Sequence, residues 1–338
     1  MKPRREFEIE IAGRRIYLGQ RTLILGVINV TPDSFSDGGL YLDPVRAIQQ
    51  GMELARQGAD WIDVGGESTR PGSRPISAEE ELRRVLPVIR GLRRKLGSPI
   101  SIDTTKAEVA EQALRAGAAI VNDVSGLRFD PRLAEVARRY GALLILMHLR
   151  GRPETMQQKP FARDIWRSLR SGFETSIGRA LAAGLHQSKL ILDPGLGFGK
   201  SRRQNFEILA GLEKLQSYRF PILVGTSRKS FVQAVVAGQG LERSGSRATA
   251  AASHAPLETP FGGRHPATPW PMEFAQPAKS KQVHGAPPPI LAPLLIGDAA
   301  AVVAAILGGA HIVRVHEPAA VLPAVRIADA LLACGSGG

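Results

Sequence analysis

One pattern recurs eight times along the chain and leaves few folds open: a short apolar, β-prone run that breaks off into polar or glycine-rich residues. The runs are LILGVINVTPDSFSDGG from Leu23, WIDVGGESTRPG from Trp61, PISIDTT from Pro99, AIVNDVSG from Ala119, LLILMHLRG from Leu143, LILDPGLGFG from Leu190, PILVGTSRKS from Pro221 and HIVRVHEP from His311. Each reads as a buried strand opening onto a loop. Helical stretches separate them. Helices are predicted over 44–57, started by Asp43 with Pro44 at the first position, and over 78–96, 106–116, 131–140, 162–183, 204–215, 229–237, 298–307 and 319–332. Such alternation argues for parallel βαβ units, and the count of eight favours a closed (β/α)8 TIM barrel over an open doubly wound α/β sheet. Residues 7–18, FEIEIAGRRIYL, alternate apolar and polar around Ala12-Gly13 and predict a β-hairpin ahead of the first barrel strand.

One segment breaks the rhythm. Residues 241–293 are rich in Ser, Gly, Ala, His and Pro, with about ten prolines from Pro256 onward, and show little periodicity. They read as a disordered or loosely packed insertion between strands seven and eight of a single domain spanning 1–338. Its histidines, His254, His265 and His284, follow no metal-ligand spacing and read as solvated.

Composition narrows the class. With 338 residues and 43% hydrophobic content the chain can bury a large core. The single cysteine, Cys334, excludes an intramolecular disulfide and a Cys-based zinc site. The N-terminal MKPRREFEIEIAG lacks an apolar secretory core, and the longest apolar stretch, 299–307, is too short to span a bilayer, so a soluble cytoplasmic protein is expected. A net charge of +13 invites a nucleic-acid reading. Yet the densest basic run, from Glu81, places Leu82, Val85, Leu86 and Ile89 at helical spacing with arginines between them, a solvated helix face, and no nucleic-acid-binding signature accompanies it. A basic surface also attracts small anions.

In a TIM barrel the reactive groups gather at the C-terminal strand ends. Arg314 and His316 share one face there, and an inward cation pair is costly without an anion to neutralise it. Lys229 at the end of strand seven and Arg70 after strand two add to it, which points to a polyanionic ligand such as a pyrophosphate. Acceptors stand at other strand ends: Asp103, which alternation turns inward, with Asn122, Asp123 and Asp193. Carboxylates plus an amide suit a heteroaromatic ring bearing N–H groups, with Asp123 read as structural and Met147 and Phe198 as apolar surface for the ring. DPGLGFGKS at Asp193 ends like a phosphate-binding P-loop, but Pro194 occupies the place of its first glycine, so that reading fails.

Together ILGVINVTPDSFSDGG, DVGGESTRPG, ISIDT, VNDVSG, LDPGLGFGK, VGTSRKSF and GAHIVRVH resemble, in the right order, the signature segments of the dihydropteroate synthase family of folate biosynthesis. The resemblance implies a transferase that joins 4-aminobenzoate to 6-hydroxymethyl-7,8-dihydropterin diphosphate, giving 7,8-dihydropteroate and diphosphate with Mg²⁺ assisting. It implies that Asn29 contacts the magnesium and the diphosphate. Asp103, Asn122 and Asp193 hydrogen-bond the pterin, with Lys229 at its edge and Met147 and Phe198 near its ring. Arg314 and His316 bind the diphosphate, while Thr69, Arg70, Ser227, Phe35 and Pro71 build the aminobenzoate site, where sulfonamides compete, and Asp37 orders the first loop. The substrates are small molecules, with no nucleic acid or membrane partner, and the resemblance leaves room for a homodimer. The insertion departs from the family pattern.

Two rivals stay open at this point: a methyltetrahydrofolate-dependent methyltransferase built on a pterin-binding barrel, and a non-catalytic pterin-binding paralogue. The first needs no diphosphate site, so Lys229, Arg314 and His316 speak against it.

Overall fold

The structure is a computed structural model that describes residues 4–31, 43–70, 72–158, 160–241 and 291–335. The loop residues Phe35, Asp37 and Pro71 and most of the expected insertion, 242–290, lie outside the described residues.

Strands β1 (Phe7–Ile11) and β2 (Arg14–Leu18) form the expected antiparallel hairpin, with Ile9 opposite Ile16. Ala12 and Gly13 turn it in left-handed backbone, at φ 50° and 75°. Eight parallel strands follow: β3 (Leu23–Asn29), β4 (Trp61–Gly65), β5 (Ile100–Asp103), β6 (Ile120–Asp123), β7 (Leu143–Met147), β8 (Leu190–Asp193), β9 (Leu223–Gly225) and β10 (Ile312–Val315). Each pairs with its sequence neighbour, and β10 pairs with both β9 and β3. A bridge between Leu192 and Ile222 joins β8 to the start of β9. That contact completes the (β/α)8 barrel.

The helices are α1 (Pro44–Arg56), α2 (Ala78–Lys95), α3 (Ala107–Arg115), α4 (Arg132–Tyr140), α5 (Ile165–Ala182), α6 (Arg202–Ala210), α7 (Ser230–Val236), α8 (Leu291–Leu307) and α9 (Pro318–Gly335). Local chemistry sets their starts. Asp43 accepts from Val45 N–H at 2.8 Å to cap α1, and Ser77 accepts from Glu80 N–H at 3.2 Å to cap α2. Glu79, Glu80 and Glu81 then occupy the first turn of α2, and Arg93, Arg94 and Lys95 the last, so both ends complement the helix dipole.

Three helices differ from expectation. Asp164 caps α5, so that helix begins three residues after Ala162. α6 ends at Ala210, and residues Leu212–Tyr218 form a tighter 3-10 helix instead of continuing it. α8 begins at Leu291 rather than at 298, with Pro293 in its first turn, where a missing N–H costs nothing. The last residues assigned to the insertion, 291–293, are therefore helical.

Length and composition would let α9 cross a bilayer, contrary to the expectation that the longest apolar stretch is too short, for its mean hydropathy is 1.4 over 18 residues. Here it buries Val321, Val325, Ala328 and Leu332 and exposes Ile327 and Leu331.

Alternation sorts the strand residues into layers. Outward residues such as Ile24, Ile28, Val121, Leu144, Leu192 and Val313 join the helices in one apolar cluster. Inward residues Leu23, Leu25, Trp61, Ile120, Leu143, Ile145, Ile191, Leu223 and Ile312 form a second, which Ile9, Ile11 and Leu18 of the hairpin complete from below. Above this plug the inward positions turn polar.

Candidate active site

The polar layer follows from strand register. In β4, Trp61, Asp63 and Gly65 share the inward face, and Asp63 stands opposite Ser101 while Gly65 stands opposite Asp103. Asp103 pairs in turn with Asn122, and Met147 with Asp193. On the far side Arg314 stands opposite Gly225. Residues from six strand ends and three loops thus line one pocket: Asp103, Asn122, Met147, Asp193, Gly225 and Arg314, with Thr69, Phe198 and Lys229 above them. The residues expected at a pterin, Asp103, Asn122, Met147, Asp193, Phe198 and Lys229, all line this pocket.

Arg314 holds the layer together. Its Nε donates to Asp63 Oδ2 at 2.7 Å and its Nη2 to Asp103 Oδ2 at 2.9 Å, while Asn122 Nδ2 also donates to Asp63 Oδ2 at 3.0 Å. One guanidinium faces two carboxylates. Burial pushes the Asp103 carboxyl up to about 8 against the pull of Arg314, and Asp63, Glu81 and Asp123 add to that push. Burial opposes the Arg314 charge, but Asp63 and Asp103 outweigh it and hold that pKa above its ordinary value. Asp193 is likewise raised by burial, and the Gly195 N–H at 2.7 Å, Lys229, Arg314 and Lys200 oppose the rise. Burial, then the neighbouring Arg314, lowers the half-buried Lys229 to about 8. Its ammonium lies 4.2 Å from the centroid of the Phe198 ring.

The expectation of an unneutralised cation pair needs correction on both counts. Arg314 already has two carboxylate partners, so its charge alone does not demand an anion. His316 is not a cation at neutral pH: burial, then Arg314, Arg228, Lys229 and Arg70, push it down to about 3. Its Nδ1 lies 3.3 Å from Ser227 Oγ, and its backbone N–H also donates to that hydroxyl. His316 and Ser227, expected at the diphosphate and at the aminobenzoate respectively, therefore meet at the rim. Arg70 is exposed on the loop after β4, and Thr69 reaches the pocket.

Asn29 closes β3, half-buried, with its Oδ1 3.9 Å from where a side chain on Gly65 would begin. Among the described residues no group of three His, Cys, Asp or Glu is placed to hold a metal. A single amide oxygen at the rim fits an Mg²⁺ that keeps water and phosphate ligands, and does not fit a protein cage.

Asp63 was missed at the sequence level, although a charged residue flanked by inward Trp61 and Gly65 was the signal. Asp123 takes the structural role expected of it, accepting the N–H groups of Ser125 and Leu127.

Known proteins resemble this chain over most of its length. The family described as pterin binding enzyme matches residues 25–258. The dihydropteroate synthase of Synechocystis is 40% identical over 313 residues, covering 93% of this chain and 91% of that one. That of Escherichia coli K12 is 42% identical over 228 residues, covering 67% of this chain and 80% of its own. Among solved structures, the Yersinia pestis dihydropteroate synthase with a sulfonamide drug complex superposes with a TM-score of 0.76 at 33% identity, covering 97% of this chain and all of that one. The Xanthomonas albilineans enzyme with 4-aminobenzoic acid gives 0.75 at 32% identity, covering 97% and 99%. By that family match and by these relatives, the chain belongs to the pterin-binding enzyme family, in its dihydropteroate synthase branch.

Proposed function

We infer that the protein is a dihydropteroate synthase, a transferase that condenses 4-aminobenzoate with 6-hydroxymethyl-7,8-dihydropterin diphosphate to give 7,8-dihydropteroate and diphosphate. The observation that carries this reading is the convergence of Asp103, Asn122 and Asp193 with Lys229 and Arg314 in one pocket at the barrel mouth. Carboxylates and an amide match the N–H and C=O edge of a reduced pterin. Met147 and Phe198 offer its ring an apolar wall, and Lys229 meets its edge.

The diphosphate end of the substrate lies toward Arg314, Ser227 and His316. Arg314 reaches it with donors not used by Asp63 and Asp103, and neutral His316 offers a ring N–H. Asn29 would hold Mg²⁺ there, and the ion when bound supplies charge to neutralise the diphosphate. The aminobenzoate site is proposed at Thr69, Arg70 and Ser227, with Phe35 and Pro71 from outside the described residues.

In the reaction the C–O bond between the pterin methylene and diphosphate breaks, and the aniline nitrogen forms the new C–N bond and releases a proton. Positive charge spreading over the pterin as diphosphate departs draws the buried Asp103 and Asp193 carboxyls to their ionised form, which stabilises it, while Arg314 faces the leaving group. Catalysis is electrostatic and positional, with no covalent enzyme intermediate. A diphosphate-release assay with both substrates and Mg²⁺ tests the reading. Release that depends on 4-aminobenzoate is expected, and its absence would overturn the assignment.

A further inference from the structure

Of the tail of the P-loop-like motif, Gly197-Phe198-Gly199-Lys200, the function proposed above uses Phe198 alone, yet its lysine is one of the largest fully buried side chains among the described residues, 2% exposed. A lysine ammonium carries three donors and no acceptor. All three are used, and none by an acid: Nζ donates to the carbonyls of His148 at 3.0 Å, Gly195 at 2.8 Å and Phe198 at 3.1 Å. His148 directly follows β7, while Gly195 and Phe198 belong to the loop after β8. The ammonium therefore ties two strand ends together from behind the pocket.

The loop is wound tightly around it. Gly195 and Gly199 have φ of +64° and +65°, and a Cβ on them would lie 2.2 Å from His148 O and 2.3 Å from Arg150 O. Asn205 Oδ1 accepts from Gly197 N–H at 2.7 Å and fixes the middle of the turn. On its other side the same loop presents the pocket: Gly195 N–H binds Asp193 Oδ1, the stem of Lys229 packs 3.1 Å from the Cβ position of Gly197, and the Phe198 ring faces the Lys229 ammonium. Removing Lys200 would take a donor from three buried carbonyls, of which that of Gly195 keeps the Phe198 N–H at 3.1 Å, a cost that moving the loop would relieve.

We propose that Lys200 is a positioning residue for the pterin, acting through the loop 194–199 to set Asp193, Phe198 and Lys229 against one ring. It rests on the pterin assignment of this pocket and adds to it a residue that never touches substrate. Burial pushes the Lys200 ammonium itself down to about 7 against the pull of Asp193, and in its charged form it is one of the cations that oppose the upward push of burial on Asp193.

The test is Lys200→Met, with Lys200→Gln, which keeps two amide N–H groups for the carbonyls, used where the first loses the fold. Unmodified protein is assayed in parallel, so that absence of turnover there counts against the function and not against Lys200. Expected is a fall in kcat/KM for the pterin diphosphate of about 10²-fold, as for a misplaced reacting group, with the KM for 4-aminobenzoate at saturating pterin unchanged. The acid limb of the pterin kcat/KM profile should also move to higher pH, because removing a nearby cation favours the protonated Asp193 carboxyl. A variant that loses thermal stability but keeps the native pterin kcat/KM and acid limb, or raises both KM values alike, would overturn the proposal and leave Lys200 a structural residue only.

Discussion

Arg314 Nε and Asp63 Oδ2 lie 2.7 Å apart inside the barrel, joining residues separated by 251 positions in the chain. Asp63 has no exposed side-chain surface and Arg314 keeps only 18% of its own, so the pair is enclosed. Asp63→Asn preserves shape and leaves the guanidinium facing Asp103 alone. Loss of a charge-assisted hydrogen bond of this kind costs ~1.5–3 kcal/mol. The urea midpoint of the variant should fall accordingly at constant m-value. An unchanged midpoint would show that Arg314 is held by other contacts.

The raised carboxyl of Asp103 gives the ligand-free protein a defined pH response. Its folded pKa of about 8 lies above the ordinary aspartate value of about 3.9, so between those limits the folded state binds the extra proton. Its contribution is therefore full below about pH 4 and is lost as pH rises through 8. Asp103→Asn has no such proton to lose. Denaturation at pH 5 and pH 8 should show the wild type losing stability relative to the variant as pH rises, by up to ~1.4 kcal/mol per unit. Parallel curves would mean that Asp103 stays ionised throughout.

His316 should report anion binding directly. Without ligand its imidazole is neutral down to about pH 3. A diphosphate beside it would stabilise the imidazolium and raise that value. NMR titration of the ring protons, with and without inorganic diphosphate, is expected to show the upward movement. No movement would remove His316 from the diphosphate contacts.

Lys229 and Phe198 act as a pair, the ammonium 4.2 Å from the ring centroid. Lys229→Met should lower kcat/KM by roughly 10²–10³-fold, the effect of deleting one preorganised electrostatic group. Phe198→Leu should cost less, ~0.5–2 kcal/mol, the range for a cation over an aromatic face. In steady-state kinetics the double variant should fall short of the sum of the two losses. Strict additivity would show that the ring and the ammonium meet the substrate independently.

Much of the barrel was legible in the chain because its signals are local. The alternation in FEIEIAGRRIYL gave the hairpin, Asp43 and Pro44 gave the start of α1, and each strand announced its end by turning polar. The inward face of Asp103, and with it the acidic wall of the pocket, followed from the same period of two. What escaped notice is set by contacts between distant segments. Asp63 looked like one residue of an apolar run until Arg314 arrived from the last strand. The charge state of His316 depends on Arg228, Lys229 and Arg314, which only folding brings close. Lys200 sits in a motif whose usual partner is phosphate, and nothing nearby in sequence marks three backbone carbonyls as the alternative.

The N-terminal hairpin has a bearing on traffic through the barrel. Ile9, Ile11 and Leu18 stopper its lower end against Leu23, Trp61 and Ile312. The well is therefore blind, and whatever comes in must leave by the same door. Two reactants and two products would share that opening, so departure is expected to follow depth, with a group near the rim leaving before one seated deeper toward Asn122 and Asp193.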